Sequence, residues 1–234
     1  MANFTDIPAQ DGRTFQGWQV EPDNWKPGAH GAVIFLAEAY NVNDWARAAA
    51  QQYADAGFLV LAPDLYWRQA PGTYLEYTPA SQQVCRALYA KMDFDAAVQD
   101  TVSCVEYLRR HPASNGRVGM VGFCLGGKIA FLTAARHAVD AAVGYYSIDL
   151  DDYFDETPAI GGAAAFHFGA LDERVPLRYA DEMRRRKQDG QDLEVLVYPK
   201  AGHGFARAGQ PPFEPDSAAQ ANRHTFELLR RALS

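Results

Sequence analysis

The stretch Gly122-Phe123-Cys124-Leu125-Gly126-Gly127 constrains this chain more than any other. The apolar run Val118-Gly119-Met120-Val121 precedes it and reads as a buried strand. Lys128-Ile129-Ala130-Phe131-Leu132-Thr133-Ala134-Ala135 follows and reads as a helix. Small residues two before and two after a central side chain let a strand turn sharply into a helix. The backbone there must pass close to its neighbours, and the central residue is held in a strained conformation. The side chain so presented is the thiol of Cys124. A structural cysteine buried at a strand–helix junction has the same local pattern, so the choice rests on the rest of the chain.

That remainder alternates short β-rich runs with helical ones. Thr14–Val20 alternates as an antiparallel edge strand does. Ala32–Leu36 and Phe58–Ala62 are continuous apolar runs, the pattern of parallel strands covered on both faces. Ala141–Tyr146, Ala164–Phe168 and Leu193–Tyr198 continue the series. Helical periodicity falls between them, around Asp44–Ala56, Ala96–Arg110, Arg178–Gln188 and Ser217–Leu233. The alternation predicts an α/β fold: a doubly wound, mostly parallel sheet flanked by helices. No linker, repeat or low-complexity tract interrupts it, so residues 1–234 read as one domain. Hydrophobic residues make up 48% of the chain, enough for a sizeable core.

Composition excludes several roles. A net charge of −7 argues against nucleic acid as the main partner. The basic cluster Arg184-Arg185-Arg186-Lys187 reads as the solvated end of a helix. No apolar stretch reaches the ~18 residues of a membrane span, and Met1–Asp6 lacks the pattern of a signal peptide. Three cysteines without metal-ligand spacing suit a reduced, cytoplasmic protein with no metal. Cys85 and Cys104 fall on predicted helices and read as buried thiols.

In doubly wound sheets the ligand site lies beyond the carboxyl ends of the strands. Asp172 follows the strand ending at Phe168, and His203 follows the strand ending at Tyr198. Cys124, Asp172 and His203 therefore share one edge, in the chain order nucleophile, acid, base. Each type suits its place. An imidazole exchanges a proton near neutral pH, a carboxylate fixes its tautomer, and a thiol at a helix N-terminus beside a base becomes a thiolate. Taken singly, Asp172 also fits a helix N-cap before Pro176, and His203 a turn residue between two glycines.

Longer motifs add to this picture. They are Glu38-Ala39-Tyr40-Asn41-Val42-Asn43, the run from Pro63 to Gly72, Ser114–Gly119, the Gly122–Gly127 turn, Val143–Tyr146 and Ala201–Arg207. With them the chain resembles the dienelactone hydrolase family of α/β-hydrolases nearly end to end. The resemblance implies a carboxylic ester hydrolase acting on dienelactone or a related enol lactone through a thioester, with no cofactor; the alternative is a general small-molecule carboxylesterase with a different, uncharged substrate. It implies a small-molecule ester or lactone as partner, and a monomer or small homo-oligomer. It also adds Glu38 to Cys124, Asp172 and His203, as a carboxylate hydrogen-bonded to the resting thiol that takes its proton on substrate binding. The amides of Leu125 and Ala39 are the expected oxyanion donors.

Two arginines hold the substrate carboxylate in the family. One maps onto Arg207; the position of the other is taken by Gln82, with Arg86 one helical turn on and on the same face. Arg86 either supplies the missing charge or is merely solvent-exposed. Tyr40, Tyr89, Tyr145 and Phe205 are candidate pocket walls or core residues. A thiol-transfer protein would use Cys124 differently, but no Cys-x-x-Cys pair exists; a non-catalytic relative would have lost a member of the site.

Overall fold

Alternation of fully apolar strands with amphipathic helices leaves one stable solution, a sheet with helices on both faces. The computed structural model describes residues 1–234 and has that architecture. Its eight strands are β1 (Ala2–Pro8), β2 (Thr14–Val20), β3 (His30–Leu36), β4 (Leu59–Pro63), β5 (Ser114–Phe123), β6 (Ala141–Tyr145), β7 (Ala163–Gly169) and β8 (Leu193–Tyr198). They lie in the order β1-β2-β4-β3-β5-β6-β7-β8. The pairs from β4 across to β8 are all parallel, and β1 and β2 pair antiparallel at one side.

The helices are α1 (Asp44–Asp55), α2 (Pro79–Tyr89), α3 (Phe94–Arg109), α4 (Leu125–Arg136), α5 (Arg178–Arg186) and α6 (Pro215–Leu233). Tyr53 of α1 packs on Phe226 of α6 across one face, while α3 and α4 pack together on the other. Every residue of β3, β4 and β6 is buried, as their unbroken apolar runs require. Start signals are visible at the helices: Asn43, Thr78 and Asp93 each accept a backbone N–H from the first turn of α1, α2 and α3. The basic end of α5 is solvated and paired with Glu182 and Asp155. No helix is long and apolar enough to cross a membrane.

Two features depart from expectation. Thr14–Val20 is antiparallel but is not the edge, because β1 pairs along its whole length and covers it. A short 3₁₀ turn, Phe154–Ala159, also packs against α4 and α5.

A buried polar chain lies beneath β6–β8. His167 of β7 is fully buried; its Nδ1 meets the Tyr198 hydroxyl at 2.9 Å and its Nε2 the Thr225 hydroxyl at 3.1 Å. Burial pushes His167 from its ordinary 6.5 down to about 3, so it folds neutral. The unfolded chain takes up a proton near pH 6.5 that the folded chain refuses until about pH 3. Stability therefore falls with acid across that window, by about 1.4 kcal/mol per pH unit for this one proton. Denaturant midpoints measured from pH 7 to pH 4 should show a shallower decline in His167→Gln than in the parent chain. Equal slopes would remove His167 as the cause.

Candidate active site

The glycines around Cys124 have steric reasons that the structure makes explicit. A Cβ on Gly122 would sit 2.0 Å from the Gly126 carbonyl oxygen, and one on Gly126 would sit 2.0 Å from the Leu36 carbonyl oxygen. On Gly127 it would meet Ser147 Oγ at 2.4 Å. With no Cβ in the way, α4 starts hard against the end of β3, and the Gly126 amide donates to the Ala37 carbonyl at 3.1 Å. The chain reverses at Cys124 itself, which takes φ +54° and ψ −110°, a conformation that L-residues avoid. The thiol projects from the positive end of α4 at the carboxyl edge of the central strand β5.

Two further loops on that edge meet it. Cys124 Sγ lies 3.3 Å from His203 Nε2, and His203 Nδ1 lies 3.0 Å from Asp172 Oδ2. A carboxylate only accepts, so Nδ1 carries the proton and Nε2 is turned to the sulfur. The other oxygen of Asp172 accepts the amides of Arg174 and Val175 at 2.8 and 3.0 Å, which fixes the carboxylate in place. Burial disfavours a charge on His203, yet negative charge at Cys124 and Asp172 outweighs it and raises the imidazole to about 10. The geometry thus favours a protonated His203 ring between the two groups. Cys85, the other thiol of the pocket, is pushed up to about 12, chiefly by burial, and stays protonated. Cys104 is also buried, and all three cysteines are free.

The amides of Leu125 and Ala39 both lack a protein acceptor. Leu125 is the first residue of α4, whose amide has no intrahelical partner, and Ala39 lies on the loop after β3. The Tyr66 hydroxyl donates to the Ala39 carbonyl at 3.0 Å and holds that peptide.

Glu38 is placed differently from expectation. It is 1% exposed, and its carboxylate is not bonded to the thiol. Oε2 receives Arg207 Nε and Nη2, each at 2.8 Å, and the Tyr77 hydroxyl at 3.0 Å; Oε1 receives the Tyr146 hydroxyl at 2.9 Å. A buried carboxylate seeks every donor within reach, and a guanidinium with two phenols satisfies it better than one thiol. Arg207 is correspondingly held against Glu38, its guanidinium stacked 4.5 Å from the Tyr77 ring.

A cavity of about 890 Å³ opens above the thiol. Glu38, Ala39, Tyr40, Cys124, His203 and Arg207 line its floor, and Gln82, Cys85, Arg86 and Tyr89 of α2 form one wall. Gln82 and Arg86 thus share a face and reach the pocket together. Tyr145 does not. It is fully buried in the core, with its hydroxyl between Asn222 and Thr225, and Phe205 is equally buried. Successive residues at a strand end point to opposite faces, and it is the neighbouring Tyr146 that turns to the site, 5.0 Å from the His203 ring. Sequence reasoning also passed over Tyr77, Asp149 and Arg174. Tyr77 and Arg174 sit in loops without periodicity, and nothing local signals their orientation. No group of three or more His, Cys, Asp or Glu side chains converges as a metal site would require.

This geometry has known relatives. The family model for dienelactone hydrolases matches residues 15–233. The chain belongs to the dienelactone hydrolase family. It is 37% identical over 198 residues to carboxymethylenebutenolidase 1 of Cupriavidus pinatubonensis, covering 84% of each chain. It is 36% identical over 225 residues to the carboxymethylenebutenolidase of Pseudomonas putida, covering 95% of this chain and 94% of that one. The crystal structure of a dienelactone hydrolase candidate from Klebsiella pneumoniae superposes with a TM-score of 0.87 at 25% identity, across 99% of this chain and 98% of that one. As a member of this family the protein is a hydrolase of esters or lactones on the α/β-hydrolase fold.

Two outcomes follow from the site. Gly126→Ala forces α4 away from β3 and should lower the unfolding free energy by about 1–3 kcal/mol, read by denaturant titration; an unchanged midpoint would show that the contact yields. His203→Ala removes the base beside the sulfur. Iodoacetamide labelling of Cys124 at pH 7 should then slow by about 10–30-fold, toward the few per cent of thiolate that a free cysteine holds.

Proposed function

We propose that Cys124 is the attacking group of this ester and lactone hydrolase, with a thioester acyl-enzyme on the path. The observation that carries this reading is the continuous contact Cys124–His203–Asp172, at 3.3 and 3.0 Å, on a residue strained to φ +54°. The thiolate adds to the carbonyl carbon, and the carbonyl oxygen takes the negative charge. The Leu125 and Ala39 amides face that oxygen; a donor so placed contributes about 3–4 kcal/mol to acyl-transfer barriers. The carbon–oxygen bond then breaks, and the His203 imidazolium gives its Nε2 proton to the departing alkoxide or enolate. Water then enters beside the thioester, loses a proton to His203, and adds to the acyl carbon; the thiolate departs and the acid, still carrying the former ring oxygen when the substrate is a lactone, is released. Asp172 holds the tautomer throughout and offsets the charge on the ring.

Dienelactone, or a related enol lactone bearing a carboxylate, is the substrate class this reading favours. The similarity to the two carboxymethylenebutenolidases supports it. Arg86 supplies the cation from the α2 wall where Gln82 stands in the arginine's place, and Tyr40 and Tyr89 flank the ring. Glu38 acts through Arg207: it anchors the guanidinium above Tyr77 at the floor, instead of taking the thiol proton directly.

Cys124→Ala should abolish hydrolysis of a nitrophenyl ester without changing the unfolding midpoint. Cys124→Ser should retain only a small residual rate, because an alcohol beside His203 is far less acidic than a thiol. Rapid quenching of the parent enzyme during turnover should trap acyl groups on the tryptic peptide that contains Cys124. Hydrolysis by the Ala variant at the parent rate would end the thioester reading.

A further inference from the structure

We propose that Arg174, with Arg86, forms an anion-binding point at the mouth of the cavity, selecting esters whose acyl chain ends in a carboxylate remote from the scissile carbonyl. This deepens the preceding section and rests on its reading of the cavity as the ester site. Three arginines line the cavity: Arg207, Arg86 and Arg174. Arg207 is buried against Glu38, and its charge is already met. Arg86 and Arg174 are exposed, and their guanidinium groups make no hydrogen bond or ion pair with the protein. They come from separate elements, Arg86 from the last turn of α2 and Arg174 from the loop after β7. Both side chains line the one cavity, each with its charge unmatched by a protein partner.

Arg174 is well rooted for such a role. Its backbone amide donates to Asp172 Oδ1 at 2.8 Å, so the carboxylate that orients His203 also fixes the base of the arginine. Its positive charge reaches the Tyr40 phenol inside the pocket, together with that of Arg207. The acidic residues of the wall do not cancel it directly. Asp149 accepts the Tyr89 hydroxyl and faces the charge of Lys128 behind the wall. Glu173 is exposed and makes no ion pair with Arg174.

Size points the same way. A cavity of about 890 Å³ lies near the upper end of the roughly 300–1,000 Å³ typical of small-molecule sites. A five-membered lactone with a short acid arm fills a small part of it. With the thiol at the floor, 6% exposed, and both unpaired cations at the exposed rim, an occupant that uses both ends is an extended chain.

The test is a series of nitrophenyl monoesters of dicarboxylic acids, from four to eight carbons, set beside the same chains ending in a methyl ester. The ratio of kcat/KM for acid-ended over methyl-ended substrate should rise with chain length in the parent enzyme. It should fall at least tenfold in Arg174→Gln at the longer lengths, and recover in part in Arg174→Lys. In the Cys124→Ser background, calorimetric binding of a seven-carbon dicarboxylate monomethyl ester should weaken by a similar factor on adding Arg174→Gln, with no turnover required. A ratio and a binding constant that Arg174→Gln leaves unchanged overturn the proposal. So does an equal loss for both substrate series. The ratio is read on ester turnover whichever group attacks the carbonyl, so failure of the thioester reading and failure at Arg174 are told apart.

Discussion

The close approach of α4 to the end of β3 is the contact on which the rest of the site depends. It exists because Gly126 has no Cβ: its amide reaches the Ala37 carbonyl at 3.1 Å, where a side chain would collide with the Leu36 carbonyl. That one contact sets the Leu125 amide near the loop that carries Ala39, and forces the reversal at Cys124 that projects the thiol. The strain of a positive φ at a non-glycine residue costs of order 1–3 kcal/mol and persists only where the surroundings over-determine it. Here they do so through three glycines and two fully buried strands.

Electrostatics divides the cavity into two regimes. At the floor, charges are buried and matched: Glu38 with Arg207, and Asp172 with His203, whose other nitrogen meets Cys124. Breaking one partner of such a pair leaves an uncompensated charge in a poorly hydrated place, so the floor resists rearrangement. At the rim, Arg86 and Arg174 are exposed and have no charged partner in the protein. The matched charges and the unmatched ones thus differ in burial within one pocket.

Much of this was legible beforehand, for identifiable reasons. Buried parallel strands announce themselves as unbroken apolar runs. The runs Ala32–Leu36, Phe58–Ala62 and Ala141–Tyr146 mark three of them. The structure bounds these strands at His30–Leu36, Leu59–Pro63 and Ala141–Tyr145. β1 escaped notice because Ile7 is its one buried residue, and a strand held by backbone pairing along an outer edge needs no apolar pattern. The same omission made β2 look like the edge. Tyr145 and Tyr146 are chemically equivalent neighbours on opposite faces, and their own sequence does not say which face meets the site.

By itself, the sequence determined the local events: the glycines that permit the Cys124 turn, the caps that start the helices, and the three strand ends that carry Cys124, Asp172 and His203. These follow from steric and hydrogen-bonding rules that act over a few residues. Tertiary structure alone decided which partner each buried charge takes. Glu38 lies 169 residues from Arg207, and it pairs with that guanidinium and two phenols because packing brings them within hydrogen-bonding distance and excludes the water that would otherwise satisfy each. The placing of Arg86 and Arg174 along one cavity belongs to the same class, since no local pattern joins the end of α2 to the loop after β7.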